Sequence, residues 1–338
     1  MNNPSSQAQD SGLVPVFRSL AEIPAAFGPS VAAIGNFDGV HLGHRNILSA
    51  VAAEARQIDA QSIAITFDPH PEHFLRPGQA PGLLTPLAER LRFLAGTGID
   101  AVVVLPFDAA LAGLSAEQFV RGILVAALGV RSIHEGRSFR FGSGAVAGVR
   151  ELAAFGNQLG FTVRVHEAVC VHGLEISSSA VRALIAAGDM RRARWMLGRP
   201  FAVLSTPARG RGIGTRLLLP TVNLASYSGL LPAFGVYVTR LNINGRAFQA
   251  VTNLGNRPTF GEPSFAVESH ILNFEPLGNS EAIALDDQTP LELEFLLRLR
   301  GEIQWPSPEA LKEQIFKDVA RAQRYFRLAG DHTPHEGA

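Results

Sequence analysis

Apolar residues in the first half of the chain fall into short β-branched runs separated by stretches of helical spacing. VAAIGNF (31–37), SIAITF (62–67), AVVVLPF (101–107) and FTVRVHEAV (161–169) read as strands buried on both faces. Ile47, Leu48, Val51, Ala52 and Ala55 recur at helical spacing after the first run, and Phe119, Ile123, Leu124 and Ala127 do so after the third. This alternation predicts a parallel sheet with crossover helices, a fold whose ligands sit outside the carboxyl ends of the strands. From Phe201 the texture changes. FAVLST, GVYVTRLNI, RAFQAVTNLG, FAVESHILNF and LELEFLLRLR are strand candidates divided by turn residues, the pattern of an antiparallel barrel, and Asn244-Gly245 marks a two-residue hairpin. A last helix is expected from Pro308 to Leu328, with Ser307 as N-cap, Pro308 in the first turn and Glu309 facing the dipole. Leu311, Ile315, Val319 and Phe326 are its expected docking residues.

A length of 338 residues exceeds what one core usually serves. Two domains are therefore expected, at residues 12–187 and 188–330. Thirty basic and thirty acidic side chains give zero net charge. That balance argues against a broad nucleic-acid or anionic-membrane surface, which needs a field of one sign, and points to small-molecule partners. The single cysteine, Cys170, has no internal partner for a disulfide and fits a reducing, cytoplasmic location. Residues 1–17 lack the basic start and apolar stretch of a signal peptide and read as a tail. The apolar stretch Gly122–Val130, bracketed by Arg121 and Arg131, is far shorter than the ~18 residues of a membrane span. Nothing in the sequence specifies an oligomer.

Candidate chemistry starts at GNFDGVHLGH (Gly35–His44), which leaves a strand, turns through glycines and enters a helix whose free N–H groups attract anions. His41 and His44 can donate to phosphoryl oxygens, and Gly43 lets a backbone approach a ligand. The plain alternative is a tight turn with two surface histidines. Far downstream, ISSSAVR (Ile176–Arg182) opens a helix at Ser177, Ser178 and Ser179 and sets Arg182 one turn in. This is either a phosphate site or simply an N-cap.

The only lysines, Lys312 and Lys317, lie on the final helix, so there is no Walker loop. RGRGIGT (Arg209–Thr215) can still form a phosphate-binding nest, with Gly212, Gly214 and Thr215 as its candidate residues. In PTVNL (Pro220–Leu224), Thr221 and Asn223 share one face of an extended strand and offer hard oxygen ligands suited to magnesium, or are ordinary polar strand residues. Ala266, Glu268 and His270 alternate on another strand, where Glu268 alone reads as a solvated edge carboxylate.

The HxGH turn with a downstream ISSxxxR helix start resembles the nucleotidyltransferase superfamily, which transfers a nucleotidyl group and releases pyrophosphate. GNFDGVHLGH, TFDPHP (Thr66–Pro71), FRFGSG (Phe139–Gly144) and ISSSAVR narrow this. In order, they resemble the adenylyltransferase half of bacterial bifunctional riboflavin kinase / FAD synthetases. PTVN, GVYV (Gly235–Val238), TNLGNRPTF (Thr252–Phe260), VESHILNF (Val267–Phe274) and the closing QIFKDVARAQ resemble the kinase half. The resemblance implies an α/β nucleotidyltransferase-like, Rossmann-like domain, then an antiparallel β-barrel riboflavin kinase-like domain with a terminal helix. It implies conversion of riboflavin to FMN with Mg2+ and ATP, and adenylylation of FMN to FAD. His41, His44 and Arg182 then act on the adenylyl group and Glu268 becomes the candidate general base. Gly35, Phe37, Asp38, Gly43, Phe67, Pro69, His70, Ser138, Phe139 and Ser177–Ser179 bind nucleotide or flavin. Thr221 and Asn223 hold metal, and Asn223 also contacts ATP. Ser138 stands where the family usually has Asp or Asn, Leu218-Leu219 where it has Gly-Phe, and Ser179 where Thr is common. Two rival readings are an adenylyltransferase for another phosphate ester and a flavin-binding regulator without turnover.

Overall fold

The computed structural model describes residues 14–25, 27–208, 221–225, 227–257, 264–272 and 285–330. They form two compact units: one holds the chain up to Pro81 with Thr85–Ile176, the other Gly82–Leu84 with the chain from Ser177 onward.

The first unit is built on a six-stranded parallel sheet. Its strands are β1 (Val16–Phe17), β2 (Ser30–Ile34), β3 (Gln61–Asp68), β4 (Ala101–Pro106), β5 (Val130–Gly136) and β6 (Thr162–His166), in the spatial order β1-β4-β3-β2-β5-β6. The order runs outward from β2 in both directions, so the topological switch lies between β2 and β5. In such sheets the crevice opens there, beyond the carboxyl ends. Helix α1 (Leu42–Gln57) follows β2 and α2 (Leu87–Ala95) precedes β4. One side of the sheet packs Ile63, Ile65, Val103, Leu124 and Ile133; the other packs Val31, Leu48, Val51, Leu94 and Val102.

Several expectations need correction. The first strand ends at Ile34, because Gly35–Val40 is a turn. β6 is exposed or half-buried along its length, not covered on both faces, because it is an edge strand. The segment Phe119–Ala127 is a π-helix; it buries Phe119, Ile123 and Leu124 as expected but leaves Ala127 half-buried. β5 carries no strand signature in the sequence, because Arg131, Ser132, His134 and Glu135 break its apolar run.

The second unit starts with α3 (Ser178–Ala187) and α4 (Met190–Leu197). An antiparallel sheet follows: β7 (Phe201–Ser205), β8 (Thr221–Asn223), β9 (Gly235–Ile243), β10 (Arg246–Arg257), β11 (Ser264–Ile271) and β12 (Leu291–Arg300), in the order β7-β12-β9-β10-β11-β8. A bridge between Pro207 and Leu224 joins the ends of the two outer strands, so the sheet curls into the expected barrel. Asn244 and Gly245 make the hairpin turn with positive φ, 48° and 81°. Gly235 has φ 153°, and a Cβ there would lie 2.3 Å from the Arg300 carbonyl oxygen, which explains the glycine of GVYV. Helix α5 (Pro308–Ala329), capped by Ser307, packs Ala322 and Phe326 on Val236, Val238 and Val251. Leu311 is exposed, contrary to expectation. No helix among the described residues is long and apolar enough to cross a membrane.

Candidate functional site

In the first unit, the Gly35–His44 turn stands at the carboxyl end of β2, beside the switch. Phe37 and Val40 take left-handed backbone, at φ 46° and 36°, a conformation side chains rarely adopt without outside support. That support comes from several sides. Asp38 is buried, and its Oδ1 accepts from the Thr85 N–H (2.9 Å) and the Thr85 hydroxyl (3.3 Å), while the Gly39 N–H donates to Thr85 Oγ1 (2.9 Å). The Asn36 carbonyl accepts from Arg90 Nη1 (2.8 Å) and the Thr66 hydroxyl (3.2 Å).

His41 is the N-cap of α1, its Nδ1 accepting from the His44 N–H at 3.2 Å. The two imidazoles stack with centroids 3.6 Å apart, and Phe37 meets His44 edge-on. A Cβ at Gly43 would lie 3.2 Å from the His41 ring, so glycine permits the stack. Because Nδ1 of His41 is an acceptor, a neutral ring carries its proton on Nε2 and presents a donor there. Burial, with His41 adjacent, pulls His44 well below the ordinary histidine range and keeps it neutral.

TFDPHP follows β3. Phe67 packs edge-on against Phe107, which also meets the exposed Phe74. The Asp68-Pro69 peptide is cis, and His70 caps a short helix by accepting the Glu72 N–H. After β5, Ser138 is exposed and Phe139 stacks on Phe141. His41, His44, Phe67, Pro69, His70, Ser138 and Phe139 therefore all lie at or beyond the carboxyl ends of three sheet strands.

Ser177, Ser178, Ser179 and Arg182 belong to the second compact unit. Ser177 caps α3 by accepting the Ala180 N–H (3.2 Å), and Arg182 Nε donates to the Gly82 carbonyl (3.0 Å).

In the barrel, β8 pairs antiparallel with β11 so that Asn223 faces Glu268 and Thr221 faces His270, while Asn253 of β10 flanks Glu268 on its other side. Directly opposed residues share a face, so the register gathers Thr221, Asn223, Asn253, Glu268 and His270. Thr221 Oγ1 and His270 Nδ1 are 2.9 Å apart. Burial lowers His270 from its ordinary value, with Glu268 opposing. Gly212, Gly214 and Thr215 lie outside the described residues.

Arg90, Thr85 and Glu135 carry no local motif and were not anticipated. Arg90 had one available signal: it sits among Leu87, Leu91 and Leu94 on the apolar stripe of α2, where a charge needs partners.

The FAD synthetase family model matches residues 23–180 and the riboflavin kinase model residues 197–326. A Pseudomonas fluorescens protein named bifunctional riboflavin kinase/FMN adenylyltransferase is 38% identical over 87% of this chain and 92% of its own. Namesakes from Escherichia coli K12 and Haemophilus influenzae are 33% and 31% identical over 88% and 87% of this chain, and 93% of each. A Streptococcus pneumoniae structure named macrolide-efflux protein aligns at a TM-score of 0.81 and 25% identity, covering 92% of this chain and 99% of that one.

Proposed function

The chain belongs to the bifunctional riboflavin kinase/FMN adenylyltransferase family, and we propose from its side chains which residues serve each of the two activities. It phosphorylates riboflavin to FMN with ATP, then transfers AMP from a second ATP to FMN, releasing pyrophosphate. We assign adenylylation to residues 12–187 and phosphorylation to residues 188–330.

The stacked pair of His41 and His44 at the start of α1 supports the first assignment most directly. In adenylylation an FMN phosphate oxygen attacks the α-phosphorus of ATP as pyrophosphate leaves, and negative charge spreads over the phosphoryl oxygens. Donors from His41 Nε2 and the helix entrance oppose that charge, and Ser177 and Arg182 are proposed to bind nucleotide phosphate. Gly35, Asp38 and Gly43 shape the turn, while Phe67, Pro69, His70, Ser138 and Phe139 bound the nucleotide and flavin.

In phosphorylation Glu268 takes the proton of the ribityl 5′-hydroxyl as that oxygen attacks the γ-phosphorus. Thr221 and Asn223 suit Mg2+: both offer oxygen donors from one strand face, opposite Glu268 and His270. Bound there with ATP, Mg2+ would neutralise phosphate charge. Gly212, Gly214 and Thr215 are proposed to cradle the phosphates. The substrates ATP, riboflavin and FMN are small molecules, and the lone cysteine, Cys170, which is exposed and free, supports a cytoplasmic setting.

The test is purified protein with riboflavin, ATP and Mg2+, and chromatography of FMN and FAD. His44→Ala should cut FAD formation from added FMN by about 100-fold and spare FMN formation. Glu268→Ala should abolish phosphorylation while added FMN is still adenylylated. Joint loss of both activities in either variant would refute two separate sites. Retention of flavin without product would favour a regulator, and failure to use flavin at all would favour another phosphate ester.

A further inference from the structure

β2 and β5 pair only through Ser30↔Val130, Val31↔Ser132 and Ala32↔Ile133, whereas β2 stays paired with β3 as far as Ile34↔Ile65. The Gly35 N–H donates toward β3, to Ile65 O. Alternation along a strand therefore turns the Ile34 N–H toward β5, past the point where β5 still offers a backbone carbonyl. Glu135 supplies the acceptor instead: the Ile34 N–H donates to its Oε1 at 2.7 Å, with Glu135 3% and Ile34 4% exposed.

This bond holds the last strand residue before the turn that carries His41 and His44. The neighbouring residue of β5 acts on the helix after that turn. His134 Nε2 lies 2.8 Å from Glu54 Oε2 of α1, and His134 Nδ1 lies 3.0 Å from His166 Nε2 of β6. Two successive β5 side chains thus grip the chain on both sides of the histidine turn, at the sheet's switch.

We propose that Glu135 is a positioning residue for FMN adenylylation, its buried carboxyl replacing a backbone acceptor where β2 and β5 part and so fixing the approach of the turn to the phosphates. The inference rests on the reading that this unit adenylylates FMN. An acceptor borne on a side chain lets the strands diverge into a crevice without leaving a buried N–H unpaired. Burial raises the carboxyl well above its ordinary range, which favours its uncharged form beside a site for polyphosphates.

The test uses the full chain with Glu135→Gln, which keeps a neutral acceptor, and Glu135→Leu, which removes it. Both are assayed for kcat and KM in adenylylation of added FMN, with riboflavin phosphorylation as the internal measure of folding. Glu135→Leu is expected to lower adenylylation kcat by at least about 10-fold, with a smaller change in the KM for ATP and phosphorylation unaltered. Glu135→Gln is expected to restore kcat to within about 2-fold of the wild type. Unimpaired Glu135→Leu overturns the proposal. So does parallel loss of both activities, which would make Glu135 merely structural, and so does a Gln variant as poor as Leu, which would require the carboxyl's own proton. Wild-type protein that makes no FAD from FMN would instead overturn the underlying reading.

Discussion

Arg90 keeps a guanidinium at 2% exposure and gives Nη1 to the Asn36 carbonyl and Nη2 to the Phe67 carbonyl (2.9 Å). One side chain thus ties the histidine turn to the TFDPHP loop. Burial lowers its pKa against the pull of Asp38 and Asp68, yet an arginine remains charged. Arg90→Met should leave the half-buried Asn36 and Phe67 carbonyls without this donor and cost about 2–4 kcal/mol. Urea unfolding of the first unit measures that, and adenylylation should fall further than phosphorylation. Arg90→Lys should rescue little, because an ammonium cannot span both carbonyls with a planar fork. The histidines were legible in the sequence because their chemistry is local, a spacing of three across a glycine. Arg90 and Glu135 were not, since their partners lie 54 and 101 positions away and only the strand order brings them near.

Among the elements, α5 shows how far periodicity reaches. Its boundaries and cap follow from Ser307-Pro308 and its apolar repeat. Its docking face departs from the apolar repeat at Leu311, because a buried charge fixes its pose: Asp318, 2% exposed, accepts from Arg300 Nε of β12 at 2.9 Å and from Gln314 Nε2 at 2.9 Å. Hydrophobic spacing carries no mark for such a pair. Asp318→Ala should strand the largely buried Arg300 and destabilise the barrel unit by about 3–5 kcal/mol, whereas Leu311→Ala, an exposed change, should stay within about 0.5 kcal/mol. Thermal unfolding of the two variants measures the contrast. Equal effects would show that the helix docks by its apolar stripe alone. The β9–β10 hairpin of the barrel is legible for a different reason: Asn244-Gly245 marks its turn, whereas the parallel sheet's order, like the barrel pairings of β7, β8 and β12, joins strands far apart in the chain and leaves little local trace.

For the molecule as a whole, the buried titratable groups set opposing limits on pH. Burial lowers His44, His134 and His166 from their ordinary 6.5. Glu54 is also lowered: burial opposes this, but the nearby Ser132 hydroxyl and His134, whose Nε2 lies 2.8 Å from Glu54 Oε2, prevail. These groups bind fewer protons folded than unfolded, so their contribution is present above the unfolded values and is lost as pH falls toward the folded ones. His270 in the barrel has the same sign. Glu135 is opposite: its folded value is raised, so its contribution is complete below 4.5 and disappears as pH rises through the raised value. Stability of the first unit should therefore fall on acidification below about 6.5 through the histidines, while the Glu135 contribution is lost as pH rises from 4.5 through its raised value. The loss on acidification should persist in Glu135→Gln, since the histidines remain, while the loss on raising pH from 4.5 through the raised value should vanish, because glutamine has no proton to lose. Thermal midpoints of the two proteins across the pH range measure this. Curves that stay parallel from 4.5 upward would show that the Glu135 value is not raised by burial, and would oblige the crevice beside the histidine turn to hold a negative charge that its phosphate substrates must overcome.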